Sequence, residues 1–254
     1  MTGTSRFRRL RIRVARTLAA LRALPHRRNL SRLAAIYRTD KLGHGYMPLY
    51  QRHFRPFRDQ PVTLLEIGIG GYADPLSGGA SLRLWAAYFR KGRIFGLDIE
   101  DKRPQATRRI TIHKGNQSDP ATLKALIKAT GPLDIVIDDA SHVCRDVIAS
   151  FEVLFPVLKP GGIYVVEDTQ TSYWTQCGGS MDSADSRTTM NYFKALADGL
   201  NHAEYPVADR DPSYLDQTVV AIHFYHNIIV VEKGENTRPS NVSLEHRLAA
   251  ARDG

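Results

Sequence analysis

Cysteine is nearly absent: Cys144 and Cys177 are the only two in 254 residues. Two thiols make neither a disulfide framework nor a thiolate metal site, so a reducing cytoplasm is the expected compartment. Long apolar runs are missing as well. No stretch approaches the ~18–20 residues that span a bilayer, and the arginine-rich N-terminus lacks the apolar block of a signal peptide. Acid is missing from the first 39 residues, where eleven arginines stand without a carboxylate. Setting those aside leaves 24 Lys+Arg against 26 Asp+Glu, a net of −2, although the whole chain carries +9. The positive excess belongs to an N-terminal arm. A nucleic-acid enzyme gathers positive surface around its cleft, so nucleic acid is not an expected partner.

What remains is ordinary for a globular chain, 43% hydrophobic and 24% charged, and long enough for one large α/β domain. Leu10, Val14, Leu18 and Leu21 recur at near-helical spacing among arginines over residues 8–24, which predicts a helix. Such a helix can pack on a neighbouring subunit, bind an acidic surface, lie on anionic lipid, or present a solvated arginine face. From residue 62 the rhythm is strand, glycine-rich turn, helix, strand. Strands are expected at 62–67, 93–99, 111–115, 133–138 and 163–168. Helices are expected at 81–90, with Ser81 as N-cap, and after Ser118 or Asp119, with Pro120 in the first turn. A further helix, 143–158, should stop at Lys159-Pro160-Gly161-Gly162. That alternation means a doubly wound, mostly parallel sheet. Two final strands, 218–225 and 227–233, almost touch in sequence and must form an antiparallel hairpin. The expected fold is a Rossmann-like seven-stranded sheet with a reversed C-terminal strand. The expected segments are a basic arm (1–38), a substrate-side helical segment (39–60), the main domain (61–233) and a loosely attached tail (234–254).

Glu66-Ile67-Gly68-Ile69-Gly70-Gly71 follows the first strand, and glycines there let a ligand approach the backbone. A carboxylate two residues before the first glycine and a long loop suit a ligand bearing an amine better than a pyrophosphate. Asp98, at the end of the next strand, can accept both hydroxyls of a ribose. In combination, E-x-G-x-G-G, Asp98, the LKPGG turn and the terminal hairpin resemble the class I S-adenosylmethionine (SAM)-dependent methyltransferases. Within that class IDDASH, VVEDTQTSYW, GLDIEDK and TDKLGHGYMPLY are similar to the Mg²⁺-dependent sugar O-methyltransferases of macrolide pathways and of mycobacterial methylmannose polysaccharides. The resemblance runs from about Thr39 to Lys233 and departs at the arginine arm. It implies SAM and Mg²⁺ as cofactors and a glycoside or oligosaccharide as acceptor; a homo-oligomer is expected.

The chemistry of the acidic residues agrees. Clustered carboxylates repel unless a cation lies among them. Asp139, Glu167 and Asp168 offer three oxygen ligands from two strand ends, the donor type that Mg²⁺ prefers. His142, three residues past Asp139, is the expected general base, since an imidazole pKa of ~6.5 suits proton removal near neutrality. Asp138, facing the other way along an extended strand, is assigned to SAM with Glu66, Gly68, Gly70, Gly71, Tyr72, Ser81, Asp98, Gln117 and Ser118. Taken in isolation, Asp138 reads better as a helix cap and Glu167-Asp168 as loop acids in water, and Asp119 reads as well as a plain cap. Residues 171–186 read as a mobile lid, with Tyr173 and Trp174 offering faces to a sugar ring. By resemblance Tyr46 and Tyr50 help cover the acceptor; otherwise they are packing residues. Rival functions are a metal-dependent phenol methyltransferase, an RNA methyltransferase using the arm, and a non-catalytic binding protein.

Overall fold

A computed structural model describes residues 3–206 and 211–250, with side chains from 6–206 and 211–249. The chain divides into two compact units, Met1–Leu133 and Asp134–Gly254. Its hydrogen-bonded strands, numbered in chain order, run β3-β2-β1-β4-β5-β7-β6, a seven-stranded sheet. The mixed, Rossmann-like expectation holds.

The first unit opens with helices α1 (Gly3–Ala23), α2 (Leu30–Tyr37) and α3 (Met47–Phe54). Asn29 caps α2 by accepting from the Arg32 amide. The unit continues with β1 (Thr63–Ile67), α4 (Ala80–Tyr88), β2 (Arg93–Asp98), β3 (Ile110–Lys114) and α5 (Pro120–Thr130). Parallel pairing sets Glu66 opposite Gly96 and Asp98 opposite Lys114. β1 is buried along its whole length, which is why Leu64, Leu65 and Ile67 do not alternate with exposed residues. Gly96 is required by packing: a Cβ there would stand 2.7 Å from Ile69 Cδ1. Tyr50, Phe54, Trp85 and Phe89 make an aromatic cluster with ring centroids 4.8–5.4 Å apart. Asp119 caps α5 by accepting from the Ala121 and Thr122 amides, with Pro120 behind it, as the sequence suggested. Ser81 does not cap α4. Gly79, at positive φ, takes that place, and the Ser81 hydroxyl turns inward.

The second unit holds β4 (Leu133–Asp138), α6 (Cys144–Leu154), β5 (Leu158–Glu167), α7 (Thr189–Gly199), α8 (Tyr214–Thr218), β6 (Val219–Tyr225), β7 (Ile228–Lys233) and α9 (Leu244–Ala250). β7 runs antiparallel to both β5 and β6, so the reversed strand is real. Asn227 at φ 61° turns the hairpin, a conformation asparagine tolerates better than branched residues do. Two expectations need correction. Helix α6 ends at Leu154 and a 3-10 turn over Phe155–Val157 follows, so Lys159-Pro160-Gly161-Gly162 belongs to the start of β5. The described part of the tail is tied down: the Arg247 guanidinium donates to the Ala203 and Tyr205 carbonyls, and Asn236 Nδ2 donates to the Asp216 carbonyl at 2.9 Å.

Candidate active site

In the first unit the loop between β1 and α4 is shaped by glycine and held by cations. Gly68, Gly70, Gly71 and Gly78 all have positive φ. A Cβ on Gly78 would lie 2.1 Å from the Gly70 carbonyl oxygen, and one on Gly71 2.3 Å from Ser77. At Gly70 the same construction meets nothing within 4 Å, so open space borders the backbone there. Lys102, wholly buried, donates from Nζ to the carbonyls of Tyr72, Asp74 (2.8 Å) and Ser77 (3.4 Å). Gln105 Nε2 reaches the Ser77 carbonyl at 2.5 Å and Arg83 Nη2 the Gly78 carbonyl at 3.1 Å.

Helix α1 joins this grip. Arg16 Nη2 donates to the Leu76 carbonyl at 3.1 Å and to Gln105 Oε1 at 2.7 Å, and Arg8 pairs with Asp74. The Arg8 guanidinium holds the Asp74 carboxyl below the usual carboxylate range. Burial, with Arg16 nearby, lowers Arg83 to about 10.

Asp98, at the end of β2, accepts hydrogen bonds from two backbone amides. Its Oδ2 accepts from the Ile69 amide and its Oδ1 from the Glu100 amide, both at 2.8 Å, which leaves acceptor capacity on each oxygen. Glu66 is fully buried; Oε2 accepts from Ser81 Oγ at 2.8 Å and Oε1 lies 3.3 Å from Lys41 Nζ. Lys41 was missed. It stands in the TDKLGHGY motif, yet nothing local shows that it meets an acid 25 residues later. Tyr72 is 93% exposed, Gln117 is buried, and Ser118 bonds back to Asn116 at 2.9 Å. Tyr46 and Tyr50 are buried in the first unit, Tyr50 against Phe54 and Trp85, which gives it a packing role.

The second unit brings the acidic cluster together. Ligand atoms of Asp139, His142 and Asp168 lie within 4.8 Å of one another. His142 Nε2 is 4.0 Å from Asp139 Oδ1 and 3.7 Å from Asp168 Oδ2, and all three side chains are partly open. His142 and Asp168 both sit at φ 54°, a left-handed conformation that costs a non-glycine residue about 1 kcal/mol or more. Surrounding bonds enforce it at Asp168. β5 is paired to β7 up to Glu167 and Ile228, the Thr169 amide donates to the Asn227 carbonyl at 3.2 Å, and the Thr171 hydroxyl donates to the Asp168 carbonyl at 3.0 Å. Two carboxylates facing one another suit a hard divalent cation with positions left for an oxygen substrate, and the imidazole lies beside them. Glu167 is buried and lies outside that triad.

Asp138 is buried. Its Oδ2 accepts from Ser150 Oγ and, at 3.2 Å, from Tyr164 Oη, inside the second unit. Burial, and then the Asp138 charge, push the Tyr164 phenol well above its ordinary range. The segment after Asp168 is folded, with 3-10 turns at Thr169–Tyr173 and Thr175–Cys177. Tyr173 and Trp174 are about half exposed on it.

Residues 65–169 match a family model described as a methyltransferase domain. The chain is 49% identical over 216 residues to the 8-demethyl-8-α-L-rhamnosyl tetracenomycin-C 2′-O-methyltransferase of Streptomyces olivaceus, covering 84% of this chain and 57% of that one. It is 46% identical to the mycinamicin VI 2″-O-methyltransferase of Micromonospora griseorubida, covering 82% and 53%. The structure of the mycinamicin-pathway methyltransferase MycE in complex with Mg and SAH superposes with a TM-score of 0.82 at 43% identity, over 88% of this chain and 60% of that one. The chain spans about half the length of the curated relatives it matches.

Proposed function

We propose that this chain, whose residues 65–169 match a methyltransferase-domain model, transfers a methyl group from SAM to a sugar hydroxyl with the help of Mg²⁺. The observation that carries this reading is the triad Asp139, His142 and Asp168, whose ligand atoms fall within 4.8 Å. The relatives named above are 2′- and 2″-O-methyltransferases of a rhamnosyl tetracenomycin and of mycinamicin VI, which supports a glycosylated natural product as acceptor; a methylated mannoside is a narrower alternative.

The glycine-lined space at Gly70 and the Asp98 carboxylate would hold SAM, with Gly68, Gly71 and Tyr72 shaping the loop. Gln117 and Ser118 are proposed for the adenine side. Glu66 with Lys41 is an adjacent opposite-charge pair that complements the zwitterionic methionine end. Asp139 and Asp168, with Glu167 beside them, would hold the cation, which supplies the positive charge that makes an acceptor hydroxyl more acidic. His142 takes the hydroxyl proton at Nε2, which lies 4.0 Å from Asp139 Oδ1 and 3.7 Å from Asp168 Oδ2. The freed oxygen pair forms the new C–O bond as the C–S bond breaks, and S-adenosylhomocysteine (SAH) leaves. Tyr173 and Trp174 offer half-exposed rings to the sugar.

The test is turnover of rhamnosylated polyketides and macrolide glycosides with SAM, with and without a chelator, alongside calorimetric titration with SAH. Micromolar SAH binding and chelator-sensitive methylation of a sugar are expected. Preference for simple catechols, or methylation untouched by chelation, would overturn the assignment.

A further inference from the structure

One face of α1 takes no part in the site. Ile12, Arg16, Ala19 and Ala23 turn toward the first unit and are at least partly buried. Phe7, Leu10, Val14, Leu18 and Leu21 are 72%, 58%, 51%, 48% and 57% exposed. Spacings of three and four put those five on one stripe, on the side of the helix opposite Arg16. At about 100° per residue, Arg11 and Arg22 border the stripe on one side and Arg6 and Arg13 on the other. Leu10, Arg11, Val14, Ala15 and Leu18 line a shallow apolar furrow along it.

The chemistry of a partner follows from charge. Helix α1 holds seven arginines and no acid. A second copy of the same face would set arginines against arginines, so self-association through it is opposed. The remainder of the chain has a net charge of −2 from residue 39 onward and supplies no general attraction to an anion. A helix of about 30 Å with a stripe exposed from Phe7 to Leu21 matches an extended surface. Apolar side chains edged by arginines are suited to lie in a headgroup plane, reaching about 5–10 Å inward while the guanidinium groups stay at the phosphates. No helix among the described residues is long and apolar enough to cross a membrane, so contact through α1 would be interfacial.

We infer that α1 is a peripheral anchor whose outer face lies on an anionic phospholipid surface. Stripe and arginines act together, because neither signal alone holds a protein stably on a bilayer.

The test is co-sedimentation of the full chain with phosphatidylcholine vesicles and with mixed phosphatidylcholine–phosphatidylglycerol vesicles. Binding to the mixed vesicles only is expected, weakened by added salt. The double substitution Val14→Asp and Leu18→Asp should cut the bound fraction by about tenfold or more. Unchanged melting and SAH binding in that variant would show that the fold survives. Equal binding to neutral and anionic vesicles, or a double variant that binds as well as the parent, would overturn the inference. So would a concentration-dependent dimer split by the same pair, which assigns the face to a second copy. Retention of poly-glutamate without vesicle binding would assign it to an acidic protein instead.

Discussion

Lys102 and Lys233 do the same work in separate units. Each is a buried ammonium that collects three carbonyls of a turn: Lys102 those of Tyr72, Asp74 and Ser77, Lys233 those of Phe155, Pro156 and Leu158 at 3.2, 2.8 and 2.7 Å. A charged donor spread over three acceptors contributes about 1.5–3 kcal/mol, well above a surface ion pair. Lys102→Met should therefore loosen the loop and weaken SAH binding by tenfold or more, on the order of 1.4 kcal/mol. Calorimetry would check this, and full affinity in the variant would show that the loop is rigid without the lysine. Gly78→Ala should be harsher: φ is +85° and the new methyl would meet the Gly70 carbonyl at 2.1 Å. Loss of SAH binding with melting lowered by only a few degrees is the expected pattern, because the strain is local. At His142 the expectation is reversed. His142→Ala should abolish methyl transfer, a loss of at least about 10²-fold, while SAH affinity stays within a few-fold. An activity assay paired with SAH titration separates the two, and a fall in both would remove the general-base role.

At the scale of elements, α1 is best understood through Arg16. It ties a helix to a loop 60 residues away and at the same time stands near Arg83, whose burial already works against its charge. Arg16→Ala removes two hydrogen bonds and relieves that repulsion. The net weakening of SAH binding should be smaller than for Lys102→Met, roughly three- to tenfold. An Arg16→Ala enzyme with tighter SAH binding would mean that repulsion outweighs the bonds. The strands and the hairpin could be read from sequence because each is a local apolar run bounded by glycine or a tight turn, and the alternation of runs and helices fixes the sheet class. The cap at Asp119 and the triad residues Asp139, His142 and Asp168 were legible for the same reason: each is marked within a few residues. What stayed hidden is long-range. Lys41 against Glu66, Arg16 over the loop, Asp138 turned to Ser150 and Tyr164, and Arg247 fastening the tail all depend on contacts between residues at least 12 positions apart, which no periodicity encodes.

Across the whole molecule, the charged arm invites attention to carboxylates and arginines, yet the larger pH effect should come from tyrosine. Burial raises Tyr88 in the first unit and Tyr164 and Tyr192 in the second above the ordinary value of 10.0. For these acids the folded state favours the neutral phenol. Their contribution is complete below the unfolded value near 10 and is lost as pH climbs above it, where the unfolded chain releases protons that the folded one retains. The fully buried Tyr164 alone should lower stability by up to about 1.4 kcal/mol per pH unit above 10. The acidic side is milder: Asp74, held below its usual range by Arg8, is partly exposed and should affect only the local docking of α1 as pH falls below 4. Melting followed from neutral pH upward should be flat, then drop above pH 10, with phenolate absorbance appearing together with unfolding. Tyr164→Phe is the control. It removes the 3.2 Å bond to Asp138, costs about 1–2 kcal/mol at neutral pH, and should make the alkaline loss shallower. Phenolate absorbance that appeared in full while the protein stayed folded would show that these rings are open to water, and the burial that organises the second unit around Asp138 and Tyr164 would have to be given up.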